Sequence, residues 1–229
     1  MGVPDHIGGA SPEAMTADEA LHMVTEETHA LLDAGPGRVI VGITGPPGTG
    51  KSTFARRIVQ QVGPVASYVP MDGFHLASTQ LDRLARRARK GAPDTFDVDG
   101  YRATLRRIIE DHGLREVYVP DFDRAIEEPV AACRVVPADA RLVVTEGNYL
   151  GVWDGVLALL DRLYYLDSEH AVRRARLVAR HVTGGRTDAD ARHWVDTVDE
   201  ANANLIAGIR DRCDRILHIV ARQCGSYGG

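Results

Sequence analysis

Six stretches of the chain, residues 38–44, 65–71, 116–120, 141–146, 163–167 and 215–220, are apolar with little alternation. A strand with one wet face alternates apolar and polar residues, so near-continuous runs point to strands buried on both faces. Between most of them, residues 51–62, 78–90, 99–112, 153–161, 168–182 and 188–209 repeat apolar positions at helical intervals. Strands alternating with helices predict an α/β fold, a parallel sheet with helices on both faces. Ahead of the first strand, Ser11-Pro12-Glu13 offers a cap and a first-turn proline, and Thr16-Ala17-Asp18-Glu19 has capping-box spacing. Together they predict a helix over 12–34 that stops at Gly35-Pro36-Gly37. Residues 128–137, bracketed by prolines, predict a short extra strand or hairpin. Residues 1–11 are expected to be disordered and 223–229 flexible, with one domain over 12–222.

Composition narrows the class. The chain has 229 residues, 44% of them hydrophobic and 26% charged, enough for one α/β domain with a sizeable core. The longest apolar runs fall well short of the 18 or so residues of a membrane span. Residues 1–10 include Asp5 and His6 and no apolar run of a signal peptide. A cytoplasmic protein is therefore expected. A net charge of −5 argues against a sequence-independent grip on nucleic acid. Three cysteines, Cys133, Cys213 and Cys224, are widely spaced and suggest neither a disulfide framework nor a zinc site. Of 27 basic residues only Lys51 and Lys90 are lysines.

Lys51 has an evident reason to be lysine. Gly45-Pro46-Pro47-Gly48-Thr49-Gly50-Lys51-Ser52 matches G-x-x-x-x-G-K-[ST] at every fixed position, leaving a buried strand and opening a helix. Gly45, Gly48, Thr49, Gly50 and Thr53 would cradle phosphate oxygens with backbone N–H groups at a helix N-terminus. Lys51 would reach the β and γ phosphates as a flexible point charge, and Ser52 would ligate Mg²⁺. A P-loop NTPase is thus expected. A GTPase would need N-K-x-D, and neither lysine follows an asparagine.

The other strand ends carry acids. Asp72, in Met71-Asp72-Gly73-Phe74-His75, sits where an acid at a strand's carboxyl end, expected beside the P-loop strand, can orient a hydroxyl and accept its proton. Glu146, ending 141–146, has the form of a second metal-binding acid. In 168–182, Val172, Ala175, Ala179 and Val182 are expected to face the sheet, while Arg173, Arg176 and Arg180 line another face. Gly184-Gly185-Arg186 then supplies a hinge, so residues 173–190 read as an arginine-rich lid over the phosphates. Arg83, Arg86, Arg87, Arg89 and Lys90 form a second basic cluster, readable as an attractor of anions or as a solvated face. His75 is a candidate for substrate contact.

These motifs, with Lys90-Gly-Ala-Pro-Asp-Thr-Phe-Asp97, Pro120-Asp121-Phe122-Asp123-Arg124 and Thr145-Glu146-Gly147-Asn148-Tyr149, resemble the phosphoribulokinase/uridine kinase family of P-loop kinases over about residues 39–219. They look most like type I pantothenate kinases and a bacterial nucleoside/nucleotide kinase-like (fructose-transport kinase-like) group. The resemblance implies an ATP- and Mg²⁺-dependent kinase acting on an alcohol of a small metabolite: a nucleoside, a pantothenate-like or a sugar-like acceptor. It implies Asp72 as catalytic acid–base, with Lys51, Arg176 and Arg180 in catalysis, Arg180 and Arg186 on the nucleotide, and Ser52 and Glu146 on the metal. Asp72, His75, Phe122, Asp123, Arg124 and Asn202 would meet the acceptor. The sequence departs from the family in Phe122, where tyrosine is usual, which removes a phenolic hydrogen bond. The expected partner is the acceptor, with no nucleic acid or membrane and a homodimer left open. The alternative is a regulatory P-loop ATPase without an acceptor.

Overall fold

The computed structural model describes residues 14–220. The expectations for 1–11 and 223–229, and the Ser11-Pro12 helix start, lie outside the described residues. Strand β1 (Ala14–Met15) precedes α1 (Ala17–Asp33), and β2 (Val39–Thr44) leads through the glycine-rich loop into α2 (Lys51–Val62). Then follow β3 (Ala66–Pro70), α3 (Ser78–Arg83), α4 (Val98–Glu110), β4 (Val117–Asp123), β5 (Glu128–Val136), β6 (Leu142–Glu146) and α5 (Asp154–Leu157). The described residues end with β7 (Arg162–Ser168), α6 (His170–Thr183), α7 (Asp188–Trp194), α8 (Glu200–Ala207) and β8 (Arg215–Ile219). A π turn, Val195–Asp199, joins α7 to α8.

Six strands form a wholly parallel sheet in the order β1-β8-β7-β2-β6-β3. Alternate residues of β2 enter opposite layers. Ile40 packs with Tyr101, Leu105 and Ile108 of α4 and with Ile206 of α8. Val41 and Ile43 pack with Leu21 and Val24 of α1 and with Phe54 and Ile58 of α2. The near-continuous apolar runs are thus explained by burial on both faces.

Several expectations change. The first helix begins at Ala17, because Thr16 accepts from the Glu19 amide and Glu19 returns to the Thr16 amide; Ala14–Met15 instead pair in parallel with β8. The run at 116–120 is not in the parallel sheet: β4 pairs antiparallel with β5, with a bulge at Pro120, whose missing N–H cannot join a ladder. The helix expected over 78–90 stops at Arg83, where Ala85 takes φ +54°. That over 153–161 shrinks to four residues. In α6 the buried positions are Arg173, Leu177 and Val178, while Ala175, Ala179 and Val182 are exposed. The helix packs through Leu177 and Val178 on Ala191 and Val195, a small core separate from both sheet layers.

Candidate active site

The carboxyl ends of β2, β6 and β3 open onto one cavity of about 420 Å³. Its floor is the glycine-rich loop. A side chain at Gly45 would put its Cβ 2.1 Å from the Leu166 carbonyl oxygen, and one at Gly48 would put it 2.7 Å from that of Arg173. Only glycine therefore lets the loop pass between β7 and α6. The Thr49 hydroxyl and the Lys51 ammonium both donate to the Pro46 carbonyl, at 3.0 and 2.8 Å. Lys51 is 7% exposed, and burial pulls its pKa down to about 8 against the opposing charges of Glu146 and Asp72.

The two acids reach the cavity from different strands. Glu146 lies level with Ile43 on one side and Pro70 on the other, so β6 is the neighbour of the P-loop strand and β3 stands one strand further out. Asp72 therefore follows not the adjacent strand, as its motif suggested, but the next one, carried inward by a 3₁₀ turn over Met71–Phe74. Glu146 is 4% exposed, and one of its oxygens accepts from the Tyr68 hydroxyl at 2.6 Å. Burial, then repulsion from Asp72, raises its pKa, opposed by Tyr68 and Lys51. Guanidinium groups of Arg56 and Arg134 flank the Tyr68 ring, each 5.0 Å from its centroid.

Asp72 accepts from Arg124 at 2.7 Å. Burial pushes the Asp72 carboxyl up, but His75, Arg124, Arg180 and Lys51 together hold it below the usual carboxylate range. The His75 ring lies against Phe96 and Phe122, with centroids 4.0 and 4.8 Å away, and burial lowers its pKa. Phe122 also meets the Lys90 ammonium and the Arg124 guanidinium, 5.3 and 5.5 Å from its centroid.

The roof comes from α6 and α7. Arg176 points at the Gly48 and Thr49 carbonyls from 3.4 and 3.5 Å, and Arg180 enters the cavity, its pKa lowered first by burial. Arg186 lies over the Trp194 ring at 3.9 Å. From α8, Asn202 approaches the Gly91 carbonyl at 3.4 Å, which also accepts from Tyr149.

Of the residues singled out from sequence, the cavity lining unites Gly48, Gly50, Lys51, Ser52, Thr53, Asp72, His75, Phe122, Arg124, Glu146, Arg176, Arg180, Arg186 and Asn202. Gly45, Thr49 and Asp123 stand outside it; Asp123 instead accepts from the Ala125 amide in the hairpin turn. Sequence reasoning gave no site role to Phe96, Glu127, His181, Trp194 or Asp199, all of which line the cavity, as does Lys90. Asp199 had a legible signal: it follows Ala191 and Val195 at helical spacing, a charge in an apolar stripe.

Ser52 and Glu146 offer hydroxyl and carboxylate oxygens, the hard donors that suit Mg²⁺. No group of three or more His, Cys, Asp or Glu among the described residues could hold a metal without help. No helix among them is long and apolar enough to cross a membrane.

Known proteins are similar to this chain in sequence and fold. The sequence profile of the phosphoribulokinase/uridine kinase family matches residues 40–223. A Schizosaccharomyces pombe protein named as a candidate uridine kinase, C227.14, is 36% identical over 74% of this chain and 78% of its own length. The uncharacterised Escherichia coli protein YggC is 33% identical over 81% and 78%. The crystal structure of a candidate fructose transport system kinase from Silicibacter sp. superposes with a TM-score of 0.73 at 33% identity, covering 88% of this chain and 98% of the other. Profile, relatives and a P-loop on a parallel sheet agree, and the chain belongs to the phosphoribulokinase/uridine kinase family of P-loop kinases.

Proposed function

We propose that the protein is an ATP-dependent small-molecule kinase that transfers the γ-phosphate to an alcohol group of a metabolite. One observation carries the reading: Lys51, Asp72, Glu146, Arg176 and Arg180 line one cavity, together with the aromatic side chains of Phe96, Phe122 and Trp194. The glycine-rich loop and the start of α2 would bind the phosphates of ATP. Lys51, released from the Pro46 carbonyl, would contact the β and γ phosphates, and Arg176, Arg180 and Arg186 would neutralise charge from the roof. Ser52 and Glu146 would hold Mg²⁺, which supplies charge neutralisation on the phosphates when bound.

The acceptor oxygen attacks the γ-phosphorus, the bond to the β–γ bridging oxygen breaks, and ADP leaves. The hydroxyl proton passes to Asp72. A carboxylate held below its usual range is a weak base, so Asp72 chiefly orients the hydroxyl and takes the proton late, as a loose transition state allows. His75, Phe122, Arg124 and Asn202 would surround the acceptor.

A coupled ADP-release assay across nucleosides, pantothenate, sugars and glycerate tests the reading. Release that rises with one acceptor class is expected. Release that is the same with every acceptor would instead identify a regulatory ATPase.

A further inference from the structure

One hydroxyl beside the site is used neither for the transfer nor for packing. Tyr68 is 7% exposed in the apolar layer that also holds Phe54, Ile58 and Val144, where phenylalanine would fill the same space. Its hydroxyl donates at 2.6 Å to one oxygen of Glu146, which is itself 4% exposed. The ring is wedged in place. Arg56 of α2 and Arg134 of β5 each set a guanidinium 5.0 Å from its centroid, and Arg134 is tied in turn to Asp121 at 2.6 Å. The donor is therefore fixed by three elements: β3, α2 and the β4–β5 hairpin.

A carboxylate buried this deeply needs donors, and others are at hand. The Ser52 hydroxyl faces Glu146, and the charges of Lys51 and Asp72 bear on it with opposite signs. Those three have other work: Ser52 toward the metal, Lys51 toward the phosphates, Asp72 toward the acceptor hydroxyl. Only Tyr68 stays with Glu146 throughout. With one oxygen engaged, Glu146 offers a metal the other. Mg²⁺ demands near-octahedral geometry, keeps several waters and is served by one or two carboxylates beside substrate phosphates. Ca²⁺ is larger, takes about six to eight oxygens and can draw both oxygens of a carboxylate. Bidentate binding would pull the engaged oxygen toward the ion and stretch its bond to Tyr68. The phenol would then be buried without an acceptor, which is penalised.

We propose that Tyr68 is a specificity-determining residue for the metal: by engaging one oxygen of Glu146 it admits Mg²⁺ and discriminates against Ca²⁺. The proposal deepens the kinase reading above and rests on it.

Binding of the non-hydrolysable ATP analogue AMP-PNP is measured by titration calorimetry in excess Mg²⁺ and in excess Ca²⁺. Both metals saturate the analogue, so the ratio of the two Kd values reads the protein's own preference. The wild type should bind the Mg²⁺ complex about tenfold or more tightly than the Ca²⁺ complex. Tyr68→Phe frees the second oxygen and should cut that ratio at least about fivefold, chiefly by tightening the Ca²⁺ complex. Arg134→Gln removes the hairpin's hold on the ring and should move the ratio the same way, less far. Should Tyr68→Phe not fold, Arg134→Gln carries the test. A wild-type ratio near one overturns the proposal. So does a ratio left unchanged by Tyr68→Phe, or by Arg134→Gln where it stands in, since a purely structural Tyr68 would weaken both complexes alike. Either result leaves the kinase reading intact, whereas no binding of AMP-PNP in either metal would sink both.

Discussion

Tyr68→Phe isolates the contact that orients Glu146. The substitution removes one oxygen and leaves the ring between Arg56 and Arg134. What is lost is a 2.6 Å hydrogen bond to a carboxylate that is 4% exposed. A hydrogen bond to a charged group contributes about 1.5–3 kcal/mol. For a chain of this length each kcal/mol moves Tm by about 2–4 °C, so a fall of about 3–12 °C is expected by calorimetry. The loss belongs to the pair, not to the tyrosine. In a double-mutant cycle with Glu146→Gln, the second substitution should reduce the effect of the first by about 1 kcal/mol or more. A coupling under about 0.5 kcal/mol would mean that Tyr68 contributes only packing and that Glu146 keeps its position without it.

Lys51→Ala should abolish ADP release while leaving the circular dichroism spectrum unchanged, because the ammonium donates to a loop carbonyl and not into the core; an active variant would refute the P-loop assignment. Asp72→Asn keeps the shape but not the charge and should lower kcat by about 10² or more with little change in the KM for ATP; the opposite pattern would make Asp72 a metal ligand. Amides around Gly184 and Gly185 should gain protection from hydrogen exchange when an ATP analogue binds, and equal protection in both states would leave the arginine face as plain surface. His75 is held neutral by burial, its folded pKa below the unfolded value of about 6.5. The unfolded state therefore binds more protons as pH falls, so the contribution of His75 is full above that value and is lost below it. His75→Gln should flatten the decline of Tm between about pH 6.5 and 5, and an unchanged slope would refute the burial argument.

The sheet was legible because burial on both faces leaves a one-dimensional trace: β2, β3, β6, β7 and β8 all coincide with apolar runs. The glycine-rich loop was legible because its backbone path requires particular residues at fixed spacing. The neighbours of β2 were not, since strand order depends on how crossovers pass over the sheet. That is why Asp72 was expected one strand too near. Nor could spacing reveal that β4 leaves the sheet, although Pro120 and the prolines around 128–137 hinted at a hairpin.

The arginine helix shows most clearly what periodicity leaves out. Val172, Ala175, Ala179 and Val182 keep a helical interval, but most of that face is exposed, and Leu177 and Val178 carry the packing instead. Arg173, although charged, is 9% exposed, its backbone pressed against Gly48. Periodicity assigns a helix one apolar face and presumes the sheet lies under it. Here α6 faces the phosphate loop on one side and α7 on another, so its inner surface is chosen by what it must cover. A helix packed onto the sheet by a full apolar stripe would be fixed there. One held by Leu177, Val178, Ala191 and Val195 is joined to α7 as a unit, apart from both sheet layers. Asp199 stands where that unit joins the main core, with His181 reaching it from α6.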